Sequence, residues 1–173
     1  MKNKARSITA AALFCALLCL SAALSIPAAV PITLQTLVLF LMFFSLGGRA
    51  SLIVTAVYIA IGAVGLPVFS GMTGGIFRLF DATGGFIFGF IVASLVYLLL
   101  EPLVRKKEGL KLVAATLALI SLYATGTLWY TLVYLGGTQT LGAALAVTVL
   151  PFVIPDVIKL YVAYLISKRI PKP

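Results

Sequence analysis

Long apolar stretches alternate along this chain with short polar or glycine-rich breaks. They cover about residues 8–26, 32–47, 50–66, 84–100 and 112–135, and a last one from about 141 to 167 is interrupted by Pro151, Pro155, Asp156 and Lys159. The runs are continuous rather than alternating with a period of two, which predicts helices and not the strands of a barrel. Lipid offers a backbone no hydrogen-bond partner, so a segment that spans it has to satisfy its peptide groups internally, as a helix does. Each run is long enough to cross a hydrocarbon core of about 30 Å, the two shortest only just. The expectation is an all-α integral membrane protein with six transmembrane helices, forming one domain over residues 1–173.

The last run differs from the others. Pro151 and Pro155 each remove a backbone donor and crowd the preceding turn, which predicts a short helix over 141–150, a break, and a crossing helix over 157–167. Asp156 and Lys159 stand beside that break, three residues apart and so on one helical face. An ionised side chain inside a bilayer costs about 2.5–3.5 kcal/mol even on the lenient insertion scale, so the pair marks a site for a ligand, an ion path or a partner. Two readings of Asp156 stand at this level: the N-cap of the last helix, or the wall of a pocket. Capping does not account for Lys159, because a cation in the first turn opposes the helix dipole. A broken helix with a carboxylate and an ammonium on one face suits a small polar or anionic solute.

Composition narrows the class. A mean hydropathy of +1.20 with 10% charged residues leaves too little polar side chain to clothe a soluble domain. The net charge of +9 does not indicate nucleic acid, since the basic residues fall in short clusters between apolar runs and not on one soluble face. Six spans put both termini on one side, together with Lys2, Lys4, Arg6, Arg49, Arg105, Lys106, Lys107, Lys111, Lys168, Arg169 and Lys172. Of the 13 basic residues only Arg78 and Lys159 are left elsewhere. By the positive-inside rule the basic side is cytoplasmic, in a multi-pass protein of the cell membrane. Arg78, Asp81, Asp156 and Lys159 then converge on the outer half.

The first apolar run is too long for the core of a secretory signal and reads as the first transmembrane helix. Cys15 and Cys19, one turn apart on it, read as small apolar packing residues. The chain has no His, so no transition-metal site is expected.

Connections are short except for residues 66–83, LPVFSGMTGGIFRLFDAT, an outer loop between helices three and four. A loop of this length in a small protein is more often functional than filler. It carries TGG at 73–75 and again at 83–85. Such glycines either let the backbone approach a ligand near a helix N-terminus or simply serve turns at a helix start. Arg78 is open in the same way, as half of a surface pair with Asp81 or as a group of the pocket.

Four motifs taken in order give the chain a family resemblance. VPITLQTL (30–37), GAVGLPVFSGMTGG (62–75), ATGGFIFGF (82–90) and PFVIPDVIK (151–159) resemble those of the BioY family, the biotin-specific substrate-binding (S) component of energy-coupling-factor (ECF) transporters. The resemblance covers essentially the whole chain. It departs at Pro155, where the family commonly has Gly before the Asp, and at Phe86, where Tyr is frequent; neither change removes a charge. It implies a six-helix fold that holds biotin near the outer surface. Asp156 is then implied to accept from the ureido N–H groups, and Lys159 and Arg78 to pair with the valeryl carboxylate. Gln35 and Thr33 are implied as further polar contacts, Phe69, Phe77 and Trp129 as apolar walls, and Gly74 and Gly84 as the TGG backbone beside the ligand.

The resemblance also implies partners. The chain has no GxxxxGK[ST] pattern, so ATP falls to two separate ATPase subunits, coupled through a transmembrane subunit, and no cofactor is expected here. Ala12 and Ala16 form an AxxxA pair on helix one, implied to dock on the coupling subunit; packing within the chain is the other reading. Besides a purely structural membrane protein, which leaves the outer charges unexplained, two alternatives remain at this level. One is an S component for another vitamin on the same scaffold. The other is an intramembrane aspartyl enzyme using Asp81 and Asp156, although neither sits in a Gly-x-Gly-Asp setting.

Overall fold

The computed structural model describes residues 2–104 and 107–170. Of the basic clusters above, Arg105, Lys106 and Lys172 lie outside the described residues. Helix α1 (Lys2–Ser21) leads into a minimal hairpin of β1 (Ser25–Ile26) and β2 (Ile32–Thr33), paired antiparallel with Ser25 opposite Thr33. Then come α2 (Gln35–Leu46), α3 (Gly48–Ala63), a loop holding one 3-10 turn (Ile76–Leu79), and α4 (Gly84–Val104). Helix α5 (Leu110–Trp129) widens at its end into a π turn (Tyr130–Tyr134), and α6 (Leu141–Thr148) and α7 (Leu150–Ser167) complete the chain.

The protein is mostly helical, and among the described residues four stretches are long and apolar enough to cross a membrane: Lys4–Ser21, Gly84–Val104, Leu110–Tyr134 and Leu150–Ser167. The other two apolar helices, α2 and α3, have 12 and 16 residues. At 1.5 Å per residue α2 is only about 18 Å long. Its apolar run began at residue 32, but β2 takes the first residues into the hairpin. Helix α2 makes up for its length by burial: Val38, Leu39, Phe40, Met42, Phe43 and Phe44 are all in the core. It is apolar on every side because α1, α3 and α7 surround it.

The short links sort the helix ends into two groups. At one end Phe44 of α2 meets Tyr164 of α7 edge-on at 5.8 Å, and the Glu101 carboxylate of α4 accepts from the Gly48 N–H at 3.1 Å. Arg49, Lys107, Lys111, Lys168 and Arg169 belong to this end. At the other end Gly71 N–H donates to the Ala22 carbonyl, Gly75 N–H to Gly62, and Trp129 Nε1 to Asp81, which ties together the hairpin side, the 64–83 loop and the end of α5. Helices α3 and α4 pack closely enough that a Cβ on Gly48 would lie 2.4 Å from the Leu98 Cα. Leu13, Leu17, Leu20, Leu99, Ile120 and Ile166 are exposed on the flanks, as in a surface built to face lipid.

The prolines act differently from the sequence expectation. The break between the last two helices is at one residue, Val149, with φ −123° and ψ −51°, and α7 runs unbroken from Leu150 through both prolines. Pro151 lies in the first turn, where its missing N–H had no helical partner in any case. Pro155 removes one interior bond, the one its N–H would have made to the Pro151 carbonyl. The last helix is therefore 18 residues long and not the 11 or so of 157–167. Asp156 sits inside it, which excludes the N-cap reading.

Replacing Gly48 by Ala should lower the melting temperature in detergent, at about 1–3 kcal/mol for overpacking against immovable backbone. Gly142→Ala on α6, where a Cβ meets nothing within 4 Å, is the control and should melt within roughly 0.5 kcal/mol of the parent. Equal melting of the two variants would mean that α3 and α4 are not in this close register.

Candidate functional site

At the end of the bundle that carries the hairpin and the 64–83 loop, α2, α4, α5 and α7 enclose about 560 Å³ of empty space, its open mouth included. One corner is charged and the rest is apolar. Phe86, Ile87 and Phe90 of α4, Leu122 of α5 and Phe152 of α7 make the apolar walls, while Ser70 and Thr83 contribute from the loop.

Asp156 is the centre of the charged corner, with its side chain only 2% exposed. Burial of a bare carboxylate is prohibitive, so its oxygens are satisfied from three helices. Oδ1 accepts from Thr36 Oγ1 of α2 at 2.8 Å and from Lys159 Nζ of α7 at 2.8 Å, and Oδ2 accepts from the Tyr123 hydroxyl of α5 at 2.7 Å. Lys159 is 11% exposed and directs its other protons to the Thr33 carbonyl at 2.7 Å and to Thr36 Oγ1 at 3.1 Å. The ammonium thus joins α7 to the start of α2. Removing either charge would strand the other in a place with little water.

A second polar chain starts beside it. Thr33 Oγ1 donates to Gln35 Oε1 at 3.0 Å, Gln35 Nε2 donates to the Tyr58 hydroxyl at 2.6 Å, and Tyr58 donates to the Val68 carbonyl at 3.0 Å. This chain connects the cavity wall on α2, through α3, to the 64–83 loop.

Of the residues selected from the sequence, the cavity brings together Thr33, Gln35, Asp156 and Lys159. The others lie apart from its lining. Arg78 is in the 3-10 turn, 43% exposed, and donates to Asp81 Oδ2 at 2.7 Å, which is the local surface pair. Phe77 is 85% exposed. Phe69 is fully buried edge-on against Tyr58, at 5.6 Å between ring centroids, and fills the space over Gly62. Trp129 packs across Gly84 and Gly85, whose missing side chains make room for it. A Cβ on Gly84 would lie 2.0 Å from the Leu79 carbonyl oxygen, and one on Gly74 would lie 2.2 Å from that of Leu66. These glycines serve close packing within the loop. Asp81 shares no hydrogen bond with Asp156 among the described residues, and it bonds instead to Arg78 and its own neighbour Ala82.

Sequence reasoning missed Thr36, Tyr58, Tyr123, Phe86, Phe90 and Phe152 as lining residues. Thr36, Phe86, Phe90 and Phe152 lie within the quoted motifs, Thr36 one residue from Gln35 and Phe86 two from Gly84. Tyr123 is one of several hydroxyl residues in its apolar run, with Ser121, Thr125 and Thr127 close by, and nothing in the sequence singles it out. On α1, Ala12 and Ala16 are both exposed, and Ala12 lines an apolar groove between α1 and α3 with Ala11, Cys15, Ala50, Ile53 and Val57. Cys15 and Cys19 are free thiols, half-buried against the core.

If the ion pair anchors α7, then Lys159→Met should destabilise the protein by about 3–5 kcal/mol, the usual cost of stranding a buried charge. The double variant Asp156→Asn/Lys159→Met should recover much of that loss. Thermal melting of the two variants in detergent checks this, and identical melting would show that the pair carries no such constraint.

Comparison with known proteins agrees with this geometry. The BioY family matches residues 1–173. The biotin transporter BioY of Thermotoga maritima is 38% identical over 170 residues, 96% of each chain. The probable biotin transporter BioY of Pyrococcus horikoshii is 32% identical over 168 residues, 96% of this chain and 97% of that one. A crystal structure of the S-component for biotin from an ECF-type ABC transporter superposes with a TM-score of 0.86, covering 97% of this chain and 92% of that chain, at 24% identity. At that identity the likeness is one of fold. With the motifs, the helical membrane fold and the full-length relatives in agreement, the chain belongs to the BioY family.

Proposed function

We propose that this chain captures biotin as the substrate-binding component of an ATP-driven ECF transporter. The observation that carries the reading is the cavity itself, a buried carboxylate and ammonium set in one corner of an otherwise aromatic and aliphatic chamber. Biotin has matching parts: a ureido ring with two N–H donors and a carbonyl, a largely apolar bicycle, and a valeryl tail ending in a carboxylate. Asp156 accepts from a ureido N–H, and the bicycle lies along Phe86, Phe90 and Phe152. Gln35, Ser70 and Thr83 hold the remaining polar groups of the wall. Lys159 already directs three bonds into the protein, so an anionic group reaches it only by displacing Thr33 or Thr36.

The remaining parts of the reading follow from charge and partnership. Six passes, counting the short α2 and α3, leave both termini and the basic end of the bundle in the cytoplasm of a cell-membrane protein, and open the cavity outward. The whole chain acts as one substrate-binding domain. It is not an enzyme and holds no cofactor. ATP is used by two ATPase subunits joined through a transmembrane coupling subunit, which docks on the exposed face of α1 at Ala12 and Ala16. The relatives named for biotin transport favour biotin over another vitamin on the same scaffold.

Purified protein should bind labelled biotin saturably without ATP and without partner subunits. Asp156→Asn should weaken that binding by well over tenfold, about 2–5 kcal/mol for one partner of a buried charged hydrogen bond, while Asp81→Asn in the loop stays close to the parent. Equilibrium binding measures both. Saturable binding of riboflavin or thiamine with none of biotin would reassign the substrate, and equal losses at the two aspartates would move the site to the loop.

A further inference from the structure

A carboxylate has four lone-pair positions on its two oxygens. At Asp156 three of them are filled from within the protein: two on Oδ1, by Thr36 and Lys159, and one on Oδ2, by Tyr123. The protons on that side are equally committed. The Tyr123 hydroxyl has one proton and gives it to Asp156. Thr36 gives its proton to Asp156 and accepts from Lys159, and the three Lys159 protons go to Thr33, Thr36 and Asp156. Among the described residues, the side chains of Asp156, Lys159, Thr36 and Tyr123 therefore offer a solute no uncommitted donor. The acceptor position left on the buried carboxylate is the second one of Oδ2, beside the Tyr123 hydroxyl.

We propose that Tyr123 and Thr36 are positioning residues for solute binding, which hold the Asp156 carboxylate from two sides so that one lone pair of Oδ2 is presented to an N–H donor of the ligand. This rests on the reading of the cavity as a biotin site and deepens it. The two hydroxyls come from α5 and α2, while the carboxylate is on α7, so three independent helices determine its orientation. Neither torsion of the Asp156 side chain can turn without breaking at least one of these bonds. A preset acceptor loses less freedom on binding than one that must be ordered by its ligand. The aromatic ring of Tyr123 also lines the cavity, so its hydroxyl and its ring have separable roles.

The separation is made with Tyr123→Phe and Thr36→Val, which keep shape and remove only the hydroxyl, each alone and in an Asp156→Asn background. Biotin affinity is measured by equilibrium binding on detergent-purified protein, with thermal melting to show that each variant is folded. Each single hydroxyl deletion should weaken biotin by about tenfold, the scale of one hydrogen bond to a charged group. In the Asp156→Asn background, the same deletion should change affinity by less than about twofold, because a residue that acts through Asp156 has nothing left to position. A purely structural role would lower melting in both backgrounds and would not produce this loss of effect on binding.

Two results would overturn the inference and leave the biotin reading in place. Tyr123→Phe and Thr36→Val that bind biotin like the parent would show that the hydroxyls are not needed. Deletions that cost the same with and without Asp156 would show that they touch the ligand or the fold independently. A parent protein that fails to bind biotin would instead remove both readings together. Should one variant fail to fold, the other carries the same test from the opposite side of the carboxylate.

Discussion

The buried ion pair of Asp156 and Lys159 sets the terms for the rest of the structure. In a chain this apolar, neither charge can be left without partners, and both side chains are largely buried, Lys159 at 11% and Asp156 at 2% exposure. The partners come from Thr33 at the end of β2, from Thr36 in the first turn of α2, and from Tyr123 of α5. This requirement draws three helices together around one carboxylate. It also places a polar corner where the surrounding side chains of α4 and α7 are aromatic, so the chamber combines a charged end with an oily one. The short α2 is central because it is the helix whose first turn meets the pair, and its burial on every side follows from that position.

The second polar chain, from Thr33 through Gln35 and Tyr58 to the Val68 carbonyl, extends the same logic to the loop. The Val68 carbonyl of the loop is satisfied by a tyrosine that itself lines the wall. The loop is held further by Trp129 against Gly84 and Gly85 and by Arg78 against Asp81. Residues that looked like ligand contacts by their type are thus used to fasten the loop, and the chamber beneath is walled by other aromatics.

Much of the helical plan was legible in the apolar runs, because a backbone in lipid has few alternatives to a helix and the runs are long. The pair at Asp156 and Lys159 was legible for a related reason: charges are costly there, so their presence is informative. The rest depended on direction, which residue type does not carry. Trp129, Phe77 and Phe69 are as aromatic as Phe86, Phe90 and Phe152, and only the local course of the backbone, helix or loop, decides which set faces the cavity. Tyr123 and Thr36 are ordinary hydroxyl residues in apolar surroundings, and nothing in their spacing marks them. The hairpin is two residues per strand, below any periodic signal. The prolines misled because their cost depends on register: Pro151 in a first turn breaks nothing, and the break moved to Val149.

The central claim is that the chamber around Asp156 is where biotin is held. A structure of the protein determined with biotin bound tests it most directly. The account requires the ureido ring within hydrogen-bond distance of Asp156 Oδ2, with Tyr123 and Thr36 still bonded to the carboxylate and the bicycle against Phe86, Phe90 and Phe152. Biotin seated instead against Phe77, Arg78 or Trp129 in the outer loop, with the Asp156 chamber empty, would contradict it.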